Sequence, residues 1–219
     1  MRIKRFILLE EFQTNTYLVW DERTKYSIII DPADKANVII ENIKEENLCL
    51  KYIINTHGHA DHIGANAELK EKTNAKIIIH PEDKDMLIDP QKNLSAFFDQ
   101  NIVSAPADML VNDKEIITFG SYELEVIHTP GHTKGGISLY CKDANLLFTG
   151  DTLFFEGIGR TDIYGGNFNV LKNSIIEKLF SLPENTIVYP GHGAKTFIKH
   201  EKKYNPYVGL LKMTDYLSP

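Results

Sequence analysis

The chain has few cysteines and no long apolar run, and both scarcities narrow its class. Cys49 and Cys141 are the two cysteines among 219 residues, and they form no CxxC motif. Each lies in an apolar, strand-like context, so we expect buried or half-buried free thiols in a reducing compartment. No stretch approaches the ~18 apolar residues that a membrane span requires, and residues 6–9 are too short an apolar run for a signal peptide. We therefore expect a soluble, cytoplasmic protein without a membrane partner.

The chain also has fewer basic than acidic residues. The chain has 24 lysines and arginines against 30 acidic residues, which gives a formal net charge of -6. A nucleic-acid surface needs clustered basic residues to neutralise phosphates, so the composition argues against such a partner. The chain also lacks a Gly/Ser or Pro linker and a low-complexity segment, and we predict one domain over residues 1–219. Nothing in the sequence indicates an oligomeric state.

The apolar pattern predicts many strands with helices between them. Strands are predicted at residues 3–9, 16–20, 26–30, 51–55, 76–80, 115–119, 123–128, 137–141, 145–149 and 186–189. Helices are predicted at residues 36–46, 63–73, 169–181 and 194–204, with a further helix start at Pro81 and a helix and loop within residues 89–110. Hairpin-like strand pairs, such as the one around Gly120-Ser121, favour two sheets packed face to face with helices outside, an α+β fold.

The segment from His57 to His62 has four potential metal ligands within six residues and follows an apolar strand. Imidazole and carboxylate groups are ligands for zinc and similar divalent ions. Alternate residues of an extended segment point the same way, so His57, His59 and Asp61 can share a face, whereas His62 turns away at the start of the next helix. A solvated loop gives no reason for such a cluster, and we predict that it serves two metal ions.

Three later turns repeat one pattern, in which a strand is followed by a glycine and a potential ligand. They are Gly131-His132, Gly150-Asp151 and Gly191-His192. Each glycine allows the backbone to turn sharply and the side chain to approach an ion. A single such turn is a weak signal, but together with the first cluster the three complete a candidate metal centre.

A loop after Asp151 offers a candidate substrate-binding residue, Arg160. Its guanidinium can pair with a substrate carboxylate in a bidentate fork, or with Asp162 in a local ion pair, and the sequence leaves both open. Phe154, Phe155 and Tyr164 favour core packing over lining a pocket. Structural positions in strands, turns or solvent are expected for the remaining histidines, His80, His128 and His200.

These motifs together resemble those of the metallo-β-lactamase fold superfamily, from Asp31-Pro32 to about Tyr207. The resemblance implies an αβ/βα four-layer sandwich with the site at one edge. It implies a first metal held by His57, His59 and His132. It implies a second metal held by Asp61, His62 and His192, with Asp151 bridging the two ions.

A finer similarity is to short glyoxalase II-like hydrolases. It rests on Gly159-Arg160-Thr161-Asp162, Gly165-Gly166-Asn167 and the tail from Pro190 through Glu201 to Asn205-Pro206. The resemblance implies hydrolysis of a small-molecule thioester by a metal-bridging hydroxide, with His57, His59, Asp61 and Asp151 at the catalytic centre. Two divalent ions are expected, zinc first, with iron or manganese also suited to these ligands. The C-terminal helical region with which full-length glyoxalase II grips glutathione has no counterpart before Pro219, so the thiol stays open.

Other functions share this fold. Persulfide dioxygenases resemble the Gly159–Asp162 region and use a single iron in a two-histidine, one-carboxylate site. A β-lactamase, a phosphodiesterase and a non-enzymatic binding role are further alternatives. The number of metal ions separates the dioxygenase from the hydrolase.

Overall fold

The structure is a computed structural model, and it describes residues 1–210. It contains two six-stranded sheets. The first sheet is formed, in spatial order, by β1 (Arg2–Ile7), β2 (Asn15–Trp20), β3 (Tyr26–Ile30), β4 (Cys49–Ile54), β5 (Lys76–Ile79) and β6 (Met109–Leu110). The second is formed by β7 (Ile116–Phe119), β8 (Tyr122–His128), β9 (Ile137–Cys141) and β10 (Leu146–Gly150), then, after a hairpin of β11 (Leu153–Phe154) and β12 (Gly157–Ile158), by β13 (Ile187–Pro190) and β14 (Thr196–Phe197).

Five α-helices and several tighter turns connect the strands. The helices are α1 (Ala36–Glu45), α2 (Ala60–Ile63), α3 (Asn66–Thr73), α4 (Phe168–Asn173) and α5 (Ile198–Tyr204). Turns of 3-10 helix occupy Pro81–Leu87, Ser95–Phe98 and Leu179–Ser181, and a π-helical turn, Ser174–Lys178, extends α4. Among residues 1–210, the longest of these helices falls well short of what is needed to cross a membrane.

Three apolar clusters separate four layers. Successive strand residues point to opposite faces, so Leu18 of β2 joins the cluster under α1 and α3, whereas its neighbour Val19 joins the cluster between the two sheets. On the far side, Leu147 of β10 packs with Leu171 of α4 and Ile198 of α5. The order is therefore helix, sheet, sheet, helix, and the predicted αβ/βα sandwich is confirmed.

Some sequence predictions of local structure were wrong. The helix predicted at residues 194–204 begins only at Ile198, because Thr196–Phe197 pair with β13 as an edge strand. The helix predicted at 63–73 is divided into α2 and α3, and a side chain at Gly64 between them would collide with the Ala33 carbonyl oxygen. Within residues 89–110 there is one 3-10 turn and the short β6 rather than a longer helix. Cys49 is exposed, although Cys141 is buried as predicted.

The site lies where several strands end. Strands β3, β4 and β5 are parallel to one another, as are β10 and β13, so their carboxyl ends share an edge of each sheet. The predicted hairpin between β7 and β8 is confirmed, with Gly120 in the left-handed region at φ +58°. The segments after β4, β8, β10 and β13 contain all seven candidate ligands. This convergence of strand ends is what brings together residues far apart in the chain.

Candidate metal centre

The loop after β4 is fixed at both ends. Asn55, the residue after β4, is buried and its side chain donates to the carbonyl oxygen of His62 at 3.2 Å. His59 is extended at φ -69° and ψ 149°, and α2 begins at the next residue. His57 and His59 therefore precede the helix, whereas His62 lies within it, as the spacing predicted.

Three histidines form a first cluster. The candidate ligand atoms of His57, His59 and His132 lie within 4.8 Å of one another, and all three residues are buried. His59 Nδ1 and His132 Nε2 are 2.9 Å apart. His132 Nδ1 donates to the Arg160 carbonyl oxygen at 2.8 Å, which leaves Nε2 with its lone pair toward the cluster. The structure thus brings together the three residues expected at a first ion.

A second cluster lies beside the first. Asp61, His62 and His192 also place their candidate ligand atoms within 4.8 Å of one another. The Nε2 atoms of His62 and His192 are 3.3 Å apart, and Asp61 Oδ2 is 3.4 Å from each of them. His192 Nδ1 donates to the Phe12 carbonyl oxygen at 2.9 Å, so its Nε2 faces the cluster.

Asp151 lies between the two clusters. Its Oδ2 is 3.6 Å from Nε2 of His132 in the first cluster and 3.3 Å from Nε2 of His192 in the second. Its Oδ1 is 3.5 Å from Nε2 of His62. A side chain at Gly191 would collide with this Oδ1, so the predicted glycine turn is required for close approach.

The donor set fits divalent cations. Four buried polar atoms of the site have no hydrogen-bond partner: His57 Nε2, His59 Nε2, His62 Nδ1 and Asp151 Oδ1. An unpaired buried polar group is costly, and a cation among these atoms would supply the missing interaction. The mixture of imidazole and carboxylate suits zinc, iron or manganese.

The two clusters differ in their electrostatics. Burial, and then the neighbouring imidazoles, lower the pKa of His57 well below its usual value and that of His59 to about 3. At His192, burial lowers the pKa, but hydrogen bonds and charge from Asp151 and Asp61 outweigh it and raise the pKa to about 10. His57 and His59 are therefore neutral imidazoles, whereas His192 carries a proton that a cation would replace.

Asp31 orients the second cluster from behind and was missed by the sequence prediction. Its carboxylate accepts from the Thr56 backbone N–H at 2.7 Å and the Thr56 hydroxyl at 2.6 Å, and it lies 3.0 Å from His62 Nδ1. Asp31 also lies close enough to His57 and His62 to form a further candidate ligand group. Its two oxygens instead accept hydrogen bonds from Thr56. The signal was available, because Asp31 follows β3 as the ligands follow their strands.

Two further contacts were missed. The Thr14 hydroxyl donates to Asp61 Oδ2 at 2.9 Å. Asp83 is buried and accepts from the Thr133 hydroxyl at 2.6 Å, from the Gly135 N–H at 2.7 Å and from the Gly58 N–H at 3.3 Å. Asp83 therefore braces the loop that precedes α2 against the loop that follows β8, each of which contains candidate ligands.

Arg160 forms the local ion pair. Its Nε and Nη2 donate to the two carboxylate oxygens of Asp162 at 2.8 and 2.9 Å, in the bidentate geometry that the sequence allowed. The prediction of core packing was wrong for Phe155 and Tyr164, which are exposed. Phe154 instead lines a cavity over the two ligand clusters and lies edge-on to His192, with ring centroids 5.8 Å apart.

The remaining histidines lie outside the clusters, as predicted. His80 caps the 3-10 turn that follows β5, and its Nδ1 accepts from the Glu82 N–H at 3.2 Å. Its ring stacks on that of His128, the last residue of β8, at 4.0 Å. His200 pairs with Glu156 at 2.9 Å on the surface.

Comparison with known families agrees with this geometry. The model of the metallo-beta-lactamase superfamily matches residues 9–192. The chain belongs to this superfamily, and with it the fold and the candidate ligands define a metal-dependent hydrolase. It is 41% identical over 198 residues to the probable metallo-hydrolase YqgX of Bacillus subtilis, covering 90% of this chain and 92% of that protein. It is 38% identical over 199 residues to hydroxyacylglutathione hydrolase GloC of Haemophilus influenzae, covering 90% and 93%.

Solved structures show the same fold. The BLEG-1 B3 metallo-beta-lactamase superposes with a TM-score of 0.90 at 37% identity, over 94% of this chain and 99% of that one. ETHE1 from Myxococcus xanthus superposes with a TM-score of 0.81 at 31% identity, over 100% and 92%. The protein TTHA1623, solved in a di-iron-bound form, gives a TM-score of 0.81 at 30% identity, over 92% and 98%.

Proposed function

We propose that the chain hydrolyses small-molecule thioesters, in a reaction of the hydroxyacylglutathione hydrolase type, at a centre of two divalent ions. One observation supports this most strongly: Asp151 lies 3.3–3.6 Å from ring nitrogens of both clusters. A carboxylate in this position suits a bridge between two ions. The similarity to GloC, named a hydroxyacylglutathione hydrolase, supports the substrate class.

His57, His59 and His132 would hold one ion, and Asp61, His62 and His192 the other, with Asp151 shared. Two such ions would supply Lewis acidity and would lower the pKa of a bound water toward about 7. Zinc is the expected metal, and iron and manganese suit the same donors. The di-iron form of TTHA1623 supports a two-ion arrangement on this fold.

The chain's own residues orient the reactants. Asp61 is fixed by the Thr14 hydroxyl, so its carboxylate is placed to accept a hydrogen bond from the attacking water. Hydrolysis forms a C–O bond and breaks the C–S bond, and the proton lost by water ends on the carboxylic acid or the thiol. A thiolate leaves without full protonation, so this reaction needs no separate acid beside the leaving group.

A second candidate is a persulfide dioxygenase with one iron. The resemblance of Gly159–Asp162 to the corresponding region of persulfide dioxygenases favours it, and the fold superposes on that of ETHE1 from Myxococcus xanthus. A two-histidine, one-carboxylate iron site leaves positions open for oxygen chemistry. Such an enzyme would need one cluster only, whereas the chain retains candidate ligands in both.

Enzyme assays on reloaded protein test the proposal. Protein stripped by a chelator and reloaded with zinc, iron or manganese is assayed for hydrolysis of S-D-lactoylglutathione, for oxygen uptake with glutathione persulfide and for hydrolysis of a chromogenic β-lactam. We expect thioester hydrolysis that is lost on stripping, restored on reloading and abolished in His57→Ala. The matched control His200→Ala changes a surface histidine and should retain activity. Oxygen uptake without thioester hydrolysis would contradict the proposal.

A further inference from the structure

The cavity above the two ligand clusters is lined mainly by apolar side chains, and its polar residues away from the floor are Asn93, Ser95, Gln100 and Arg160. Its volume is about 360 Å³, within the range of small-molecule sites. Candidate ligands such as His59, Asp61 and Asp151 form the floor. The walls are formed chiefly by Leu9, Phe12, Phe98, Ile102, Phe154 and Ile158. A group attached to a carbonyl at the floor would therefore be surrounded by hydrocarbon.

In the described part of the chain, the walls of this cavity present no lysine or arginine that is free of a carboxylate partner. Among the residues that line the cavity, Arg160 is the one lysine or arginine. Its Nε and Nη2 groups already donate to the two carboxylate oxygens of Asp162. A carboxylate on the substrate would have to separate this pair or lie unpaired against apolar walls. Burying an unpaired charge is strongly unfavourable, so the walls select against anionic groups.

The outer wall is anchored to the loop that holds the candidate ligands. Asn93 is buried, and its amide donates to the carbonyl oxygens of Met86 and Ile102 at 3.0 and 2.9 Å. The backbone carbonyl oxygen of Asn93 accepts a hydrogen bond from the N–H of Ala60, the residue between His59 and Asp61, at 3.0 Å. The wall is thereby fixed relative to the floor.

Phe98 lines the cavity on this wall and is itself 57% exposed. It ends the 3-10 turn Ser95–Phe98 and meets Phe12 edge-on, with ring centroids 5.4 Å apart at 89°. The neighbouring Phe97 is 70% exposed and does not line the cavity. The two adjacent phenylalanines thus offer a cavity residue and a matched control in the same turn.

From these observations, and resting on the proposed thioester hydrolysis, we infer that the preferred substrate has an uncharged, apolar acyl group. An aliphatic chain of a few carbons would exchange water for contact with the phenyl and branched side chains of the walls. Each methylene that fits an apolar site is worth about 10-fold or more in kcat/KM. The hydroxylated lactoyl group would gain little from these walls, and a succinyl group would place its carboxylate among them.

A series of acyl groups on one uncharged thiol tests the inference. Zinc-loaded protein is assayed with pentanoyl, lactoyl and succinyl thioesters of N-acetylcysteamine, and with S-D-lactoylglutathione. We expect kcat/KM for pentanoyl to exceed that for lactoyl and succinyl by about 10-fold or more. In Phe98→Ala the pentanoyl preference should fall by about 10-fold, whereas Phe97→Ala should leave it within about 2-fold, as for surface changes.

The outcomes separate the inference from the proposed function. Hydrolysis of the lactoyl or succinyl thioester as fast as the pentanoyl one would overturn the inference while leaving thioester hydrolysis in place. An equal loss of preference in both phenylalanine variants would remove the cavity as its cause and also overturn it. If metal-loaded protein cleaves none of the thioesters, the proposed function and the inference both fail.

Discussion

The Thr14 hydroxyl donates a 2.9 Å hydrogen bond to Asp61 Oδ2. Thr14 is fully buried, and its backbone forms an isolated bridge to that of His192. Thr14, the residue directly before β2, therefore contacts two candidate ligands that follow strands of different sheets. This contact fixes which way the Asp61 carboxylate faces.

Thr14→Val should impair turnover more than substrate binding. Valine keeps the shape of threonine but has no hydroxyl, so Asp61 loses its donor. Partners that orient ligands typically contribute about 10–100-fold to activity or metal affinity, and we expect a kcat lower by about that factor with KM little changed. Thr14→Ser retains the hydroxyl and should restore most of kcat. Equal kcat values for Thr14→Val and the unaltered protein would contradict this role.

Asp83→Ala should lower stability strongly. The change leaves the Thr133 hydroxyl and the Gly135 N–H buried without their acceptor, and we expect a loss of about 3 kcal/mol or more in the free energy of unfolding. The control Asp85→Ala removes a neighbouring carboxylate that is exposed and paired with Lys92. Urea unfolding should place this control within about 0.5 kcal/mol of the unaltered protein. Similar losses in both variants would show that Asp83 does not brace the loops.

His80 should contribute to acid destabilisation. Burial, followed by the stacked His128 ring, lowers the pKa of His80 to about 4. In the unfolded chain the pKa of this side chain is about 6.5, so between pH 6.5 and pH 4 the unfolded chain binds a proton that the folded chain does not. The stability that neutral His80 contributes above pH 6.5 is therefore lost as the pH falls toward 4.

The variant His80→Asn removes this titration and retains a side-chain acceptor for the cap. We expect its melting temperature to fall less steeply than that of the unaltered protein between pH 6.5 and 4, at matched metal content. Parallel curves for the two proteins would show that another group causes the loss.

The sequence sufficed to predict the fold class, and the seven residues that it singles out as candidate ligands lie together in the structure. Each ligand follows the end of an apolar strand, and four of them are close in the chain, so local spacing carried the signal. Asp83 had no such signal, because it contacts Gly58 and Gly135, which are 25 and 52 positions away. Thr14 likewise gave no signal in the sequence, because its contact with Asp61 arises only from the position of β2 in the folded chain.

Local structure was least predictable where tertiary pairing overrides propensity. Thr196–Phe197 became a strand because β13 offers its edge, although the surrounding residues favour a helix. Within residues 89–110, Leu94 adopts a left-handed conformation at φ +71°, which bulky residues disfavour. Its conformation depends on packing around the cavity and cannot be predicted from local pattern.

The most direct test of the two-ion centre is the metal content of the unaltered protein and of Asp151→Ala, both purified without added metal or chelator and measured by elemental analysis. We predict two divalent ions per chain in the first and less than one in the second, because Asp151 lies against both clusters. A single iron per chain in the unaltered protein, or two tightly held ions in Asp151→Ala, would contradict the account.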